Sequence, residues 1–138
     1  MAPDAGVTGA RPGPGVVIGV GTDLVDIPRF EQVLRRRPGL AARLFSADEL
    51  GYAGRLARPA PTLAGRFAVK EAVMKALGVG LGGVDWADIS VARRPGGRPE
   101  LTVAGRAARL ASSMGVGGWH VSISHTDTVA SAVVVAVA

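Results

Sequence analysis

The sequence predicts an α+β fold in which an antiparallel sheet packs against one long helix. Three observations carry that prediction. Valine-rich apolar runs at residues 15–21 and 129–137 read as strands. Residues 62–77 hold Leu, Ala, Arg, Phe, Lys, Glu and Met, with no Gly or Pro after Gly65, as a helix requires. Alternating segments around Gly96-Gly97, and the V-S-I-S run before Ser124, read as hairpin strands. The 138 residues suit a single compact domain, expected over 15–138. The Gly, Pro and Ala-rich residues 1–14 are expected to be a flexible extension.

In chain order, the first strand is expected to end at Gly21, where Thr22 and Asp23 bring polar groups. Asp26 is positioned to cap a helix over 28–37, with Pro28 at its start and Pro38-Gly39 stopping it. Ser46 and Glu49 have capping-box spacing, so a short helix should begin there. Residues 55–61 read as loop. Gly78 is placed to end the long helix, and a glycine-rich loop follows to Gly83. Strands are expected at 88–93 and 100–103, a short helix at 106–114, and a closing hairpin from 119–124 and 129–137 with a turn at Ser124-His125-Thr126-Asp127.

Composition narrows the function. The chain has no cysteine, which excludes disulfides, thiolate zinc sites and cysteine nucleophiles and suits a reducing compartment. Sixteen basic residues face eleven acidic ones, and all but two of the basic residues are Arg. Such a surplus calls for an anionic partner, and Arg suits phosphate or carboxylate gripped through two hydrogen bonds. No secretory signal pattern is present, and the apolar run at 129–138 is far short of the roughly 20 residues of a membrane helix. A cytoplasmic protein without membrane attachment is expected.

Several residues have both a plain and a chemical reading. Phe67, Glu71 and Lys75 share one helical stripe, while Ala64, Ala68, Ala72 and Ala76 form a small face. Glu71 and Lys75 could be an i,i+4 ion pair contributing about 0.2–0.5 kcal/mol. The same spacing sets a metal-binding carboxylate one turn from a phosphate-binding ammonium. Asp23 could be a turn aspartate or, with Glu71, one of the few carboxylates that Mg²⁺ takes alongside water and phosphate. His125 could be a surface turn residue or a phosphate donor, whereas His120 reads as structural. Arg29, Arg35, Arg36 and Arg37 could be a solvated face or a docking face for an acidic protein or a nucleic-acid backbone.

Three stretches, in order, resemble the motifs of the short 4′-phosphopantetheinyl transferases, the carrier-protein synthase group. They are Gly19-Val20-Gly21-Thr22-Asp23-Leu24-Val25-Asp26-Ile27 with Arg29, then Leu63-Ala64-Gly65-Arg66-Phe67-Ala68-Val69-Lys70-Glu71-Ala72 with Lys75-Ala76-Leu77-Gly78, then Ser122-Ile123-Ser124-His125-Thr126-Asp127 with Ala130. The resemblance also takes in the Gly97-Arg98-Pro99 turn and spans nearly all of the chain from Ile18 to Ala136. It implies the phosphopantetheinyl transferase fold in its short, trimeric form. It implies coenzyme A as co-substrate, Mg²⁺ held by Asp23 and Glu71, and transfer of phosphopantetheine to a serine of an acidic apo-acyl carrier protein with release of 3′,5′-ADP. Asp23, Glu71, Lys75 and His125 take the catalytic roles. Arg66, Lys75, Gly78, His125 and Thr126 are expected on coenzyme A, with Arg66 and His125 at phosphate. Arg29, Arg35, Arg36 and Arg37 are expected to dock the carrier, Arg29 fitting the pattern best. The base is expected to be Glu71, acting directly or through a metal-bound water, the second being favoured because bound Mg²⁺ weakens a carboxylate base. In a trimer, His125 and Thr126 are expected to face a neighbour's acids. The chain departs from the pattern at Val79, where the family often has Thr, and residues 1–14 have no counterpart.

Two rivals share some of these features. A Mg²⁺-dependent nucleotide hydrolase would use the same acids without a docking face. A nucleic-acid module would explain the charge, but the few aromatics give little for bases to stack on, and no zinc ligands or binding motif accompany them. Gly19 and Gly21 are not followed by the rest of a dinucleotide-binding fingerprint.

Overall fold

The computed structural model describes residues 15–80 and 82–138. The extension expected at residues 1–14 lies outside the described residues. The chain forms β1 (Val17–Asp26), α1 (Ile27–Arg36), α2 (Leu40–Leu44), α3 (Ala47–Gly54), α4 (Ala60–Leu77), a 3₁₀ turn (Trp86–Asp88), β2 (Ile89–Arg93), β3 (Pro99–Val103), α5 (Gly105–Ser113), β4 (Gly118–His125) and β5 (Val129–Val137). The α+β class and the antiparallel pairing match the sequence reading. The strands, however, form two sheets: a three-stranded one in the order β1-β5-β4 and a separate β2-β3 hairpin.

The larger sheet is closed by the two ends of the chain. β5 lies in the middle, pairing with β1 from Val17↔Val137 to Asp26↔Val129 and with β4 from Gly118↔Val137 to His125↔Ala130. Ala130, Ala132, Val134 and Ala136 of β5 are buried beneath α4. Residues opposite each other in an antiparallel pair project to the same face. Gly19, Gly21, Asp23 and Val25, their partners on β1, therefore share the helix side of the sheet.

The small face of α4 makes this packing close. Ala64, Ala68, Ala72 and Ala76 are buried. A Cβ at Gly19 or Gly21 would run into the main-chain carbonyl of Ala76 or Ala72. Strand and helix thus meet backbone to backbone, which explains the G-V-G pattern sterically. Fully buried Ile27, Ile89, Val69, Val73 and Val134 fill the core, each contributing about 1.5–3 kcal/mol by burial. Among the described residues nothing covers the other face of the sheet: Val20, Leu24, Val129 and Val133 are 58%, 72%, 37% and 43% exposed.

Several boundaries differ from expectation. β1 does not stop at Gly21, because Thr22, Asp23 and Leu24 continue the ladder with Val133, Ala132 and Ser131. Asp26 holds the capping position of α1 but makes no side-chain capping bond, while Pro28 does sit in the first turn. Helix α4 begins in the predicted loop, at Ala60, where Pro61 fits a first turn. Gly78 ends it in the left-handed region at φ 71°. The capping box forms as predicted, with Ser46 Oγ accepting from Glu49 N at 3.1 Å and Glu49 Oε1 from Ser46 N at 3.0 Å. His125, expected in a turn, is the last residue of β4. Among the described residues no helix is long and apolar enough to cross a membrane.

Candidate active site

The close contact of β1 and α4 brings together three of the predicted residues. Lys75 Nζ lies 3.2 Å from Asp23 Oδ1 and donates to the Thr22 carbonyl at 2.8 Å. The ammonium thus pairs with the strand aspartate rather than with Glu71 one turn earlier on its own helix. Burial pushes the Glu71 carboxyl above the usual range, and the Asp23 charge and a hydrogen bond with Asp23 push it further, against the pull of Lys75. The two acids are therefore neighbours within one chain.

A carboxyl whose pKa is raised by folding destabilises the native state once it ionises. Below the ordinary glutamate pKa the group is protonated in both states and has no effect. As pH rises through the window between the ordinary and the raised value, the unfolded chain loses its proton first and stability falls. Metal-free Glu71→Gln should therefore gain melting temperature relative to the parent at pH 7 but not at pH 3. Parallel melting curves for the two proteins across that range would contradict this.

The acids open onto a cleft of about 690 Å³, within the ordinary size of ligand sites. Asp23, Glu71 and Arg29 supply its polar edge, and Phe30, Phe67 and Trp86 are among its apolar walls. The three rings stack in a row, Phe30 on Phe67 at 5.0 Å and Phe67 on Trp86 at 5.2 Å between centroids. A second depression of about 220 Å³ borders Glu71, Lys75, Val79 and Gly80. Glu71 thus serves both spaces, and Gly78 turns the chain out of α4 beside the second.

The other predicted residues lie elsewhere in the chain. His125 pairs with Ala130, which pairs with Val25, so two strand spacings of together about 10 Å separate it from β1. It lines a small depression with Arg66 and Arg93 rather than the cleft of the acids. Arg66 is 2% exposed; its Nε donates to the Val91 carbonyl at 3.1 Å and its guanidinium lies 4.8 Å from the Tyr52 ring centroid. Burial pushes its pKa down, with Glu49 opposing. Thr126 Oγ1 accepts from the amides of Thr128 and Val129, so its hydroxyl hydrogen is free to donate elsewhere.

On α1, only Arg29 of the four expected docking residues reaches the cleft. Arg35 is paired with Glu31 at 3.0 Å, and Arg36 and Arg37 are exposed at the helix end. Sequence reading missed Arg93, the aromatic row and the buried Lys70–Glu49 pair. Phe67 was visible on the stripe of Glu71, but nothing local announced that Phe30 and Trp86 would join it from distant segments.

Asp23 and Glu71 form a site suited to a hard divalent cation. Their mutual repulsion is what such an ion relieves, and among the described residues no group of three His, Cys, Asp or Glu side chains gathers into a fuller cage. A cation held by these two carboxylates would take its remaining ligands from water and a substrate's phosphates.

Comparison with known proteins shows the family of the chain. The family model of the 4′-phosphopantetheinyl transferase superfamily matches residues 19–134. Over 120 residues the chain is 52% identical to the holo-[acyl-carrier-protein] synthase of Streptomyces avermitilis, covering 87% of this chain and 97% of that protein. It is 48% identical to that of Moorella thermoacetica over 113 residues, covering 82% and 88%. The crystal structure of the Neisseria meningitidis holo-[acyl-carrier-protein] synthase superposes with a TM-score of 0.80 at 29% identity, covering 88% and 98% of the two chains. The Helicobacter pylori enzyme in complex with coenzyme A gives 0.74 at 31% identity, covering 85% and 98%. Fold and matched residues together define a phosphopantetheinyl transferase. The chain belongs to the 4′-phosphopantetheinyl transferase superfamily and, within it, to the holo-[acyl-carrier-protein] synthases.

Proposed function

We propose that the protein transfers 4′-phosphopantetheine from coenzyme A to a serine hydroxyl of an acidic apo-acyl carrier protein, using Mg²⁺ held by Asp23 and Glu71 and releasing 3′,5′-ADP. The observation that supports this most is the meeting of Asp23 and Glu71 on the wall of an open cleft, with Lys75 paired to Asp23 behind them. The coenzyme A complex of the Helicobacter pylori relative supports the co-substrate. Two carboxylates suit Mg²⁺, which keeps several waters and binds phosphate oxygens. When bound, the ion neutralises charge on the diphosphate and on the departing phosphate. Lys75, held beside Asp23, places a second positive charge there. A serine hydroxyl is a weak nucleophile, and Glu71 takes the serine proton directly or through a water, the water route being favoured because a carboxylate that also holds Mg²⁺ is a weakened base. As the bond from serine oxygen to the pantetheine-bearing phosphorus forms, the bond from that phosphorus to 3′,5′-ADP breaks, and Glu71 returns its proton to solvent. Incubation of apo-carrier protein with coenzyme A and Mg²⁺ should add the mass of the phosphopantetheine arm. Breakdown of coenzyme A without any acceptor protein would favour the hydrolase instead.

The carrier is expected to dock on α1 through Arg29, Arg35, Arg36 and Arg37. Arg29 adjoins the cleft, so Arg29→Glu should raise KM for carrier protein by about tenfold while leaving KM for coenzyme A near the parent value. Equal changes in both constants would argue against docking there.

The active unit in this proposal is a cytoplasmic homotrimer. Two features support association: an uncovered apolar sheet face, and the separation of His125, Thr126 and Arg66 from the acids within one chain. His125 and Thr126 then meet Asp23 and Glu71 of the partner subunit. Mixing Glu71→Ala and His125→Ala subunits should restore part of the transfer that neither variant performs alone. A fully active monomer in sedimentation would overturn the trimer.

A further inference from the structure

Lys70 and Glu49 are both fully buried and bonded to each other at 2.8 Å. Glu49 Oε1 also accepts from Ser46 N, and Oε2 accepts from Val91 N at 3.0 Å. Lys70 Nζ donates as well to the carbonyl oxygens of Ile89 and, at 3.4 Å, of Trp86. All three protons of the ammonium are engaged. A buried ion pair of this kind contributes little stability compared with apolar side chains of the same shape, because desolvation offsets the attraction. What it does supply is fixed geometry.

The geometry it fixes lies beside the reacting groups. Lys70 precedes Glu71 on α4, and the carbonyls it holds belong to the turn that carries Trp86 and to the start of β2. The indole of Trp86 stacks on Phe67 and lines the cleft with Asp23 and Glu71. Glu49 ties the same assembly to α3 and to Val91.

We propose that the Lys70–Glu49 pair is a positioning device, holding the Trp86 turn against Phe67 so that the aromatic wall of the cleft is set for transfer. The proposal rests on the transferase reading of that cleft. Its test uses Glu49→Gln/Lys70→Met, which removes both charges and keeps side-chain length, in a Trp119→Phe background that leaves Trp86 as the sole tryptophan. The variant should stay folded while melting below its background, because the Ile89 and Trp86 carbonyls lose their donor, shift the Trp86 emission to the red, and lower kcat by about tenfold with little change in KM for coenzyme A. In a Trp119-containing protein, Trp86→Leu should lower kcat similarly, and adding it to the charge-free pair should cost nothing more. Background-level kcat and emission in a folded double variant would overturn the proposal. So would additive losses, or a double variant that fails to fold, which would assign the pair to stability. A parent protein without transfer activity would instead sink the transferase reading, since the emission shift is read without turnover.

Discussion

Asp23→Ala and Glu71→Ala should each lower kcat for phosphopantetheine transfer by at least about a thousandfold, because in the proposed mechanism each removes half of the protein's grip on the cation that offsets the developing negative charge. The loss should persist across a Mg²⁺ titration and be read by mass spectrometry of the carrier protein. Neither change should unfold the protein. Asp23 gives up a pair with a lysine that is 55% exposed, a contact of the class that contributes about 0–1 kcal/mol. Glu71 is already disfavoured as a carboxylate by burial and by Asp23, so removing it relieves a repulsion. A fold that survives with its activity gone separates chemistry from stability at these positions. Lys75→Ala should cost less than either acid, since it adds charge without holding the ion. Parental transfer by either folded acid variant would leave the cation without its site, and with it the assignment of Glu71 as base.

The fold was legible where one local pattern determines one local structure. The capping box at Ser46 and Glu49, the glycine stop at Gly78 and the valine run of β5 all formed as read. What escaped depended on partners distant in sequence. The end of β1 is set by β5, whose residues carry the ladder through Thr22 and Asp23 although the apolar run has already stopped at Gly21. Polar side chains at a strand's end say nothing about whether its backbone still has a neighbour. The site divided in the same way. Glu71 and Lys75 were placed together by helical periodicity, but their approach to Asp23 depends on glycines that admit the helix backbone. His125 matched a motif yet stands two strands from the acids, because a motif orders residues along the chain and is silent on where the fold sets them. Arg66 matched a motif as well, and its Nε is committed to Val91.

Gly21→Val should be among the most damaging single changes in the chain, lowering folding stability by about 3 kcal/mol or more through overpacking at a site that cannot yield. The obstacle is the main-chain carbonyl of Ala72, so no rotamer and no smaller side chain at residue 72 can make room. Relief requires α4 to move off β1, which parts Glu71 and Lys75 from Asp23 as it opens the core. Urea denaturation should show the loss of stability, and any folded fraction should transfer poorly even at saturating Mg²⁺. Gly51→Ala is the matched control. That glycine lies within α3, meets nothing within 4 Å of a built Cβ, and should gain about 0.5–1 kcal/mol on substitution with activity unchanged. Gly21→Val with parental stability and rate would mean that strand and helix do not meet through their backbones, and the geometric basis for pairing Asp23 with Glu71 would be lost.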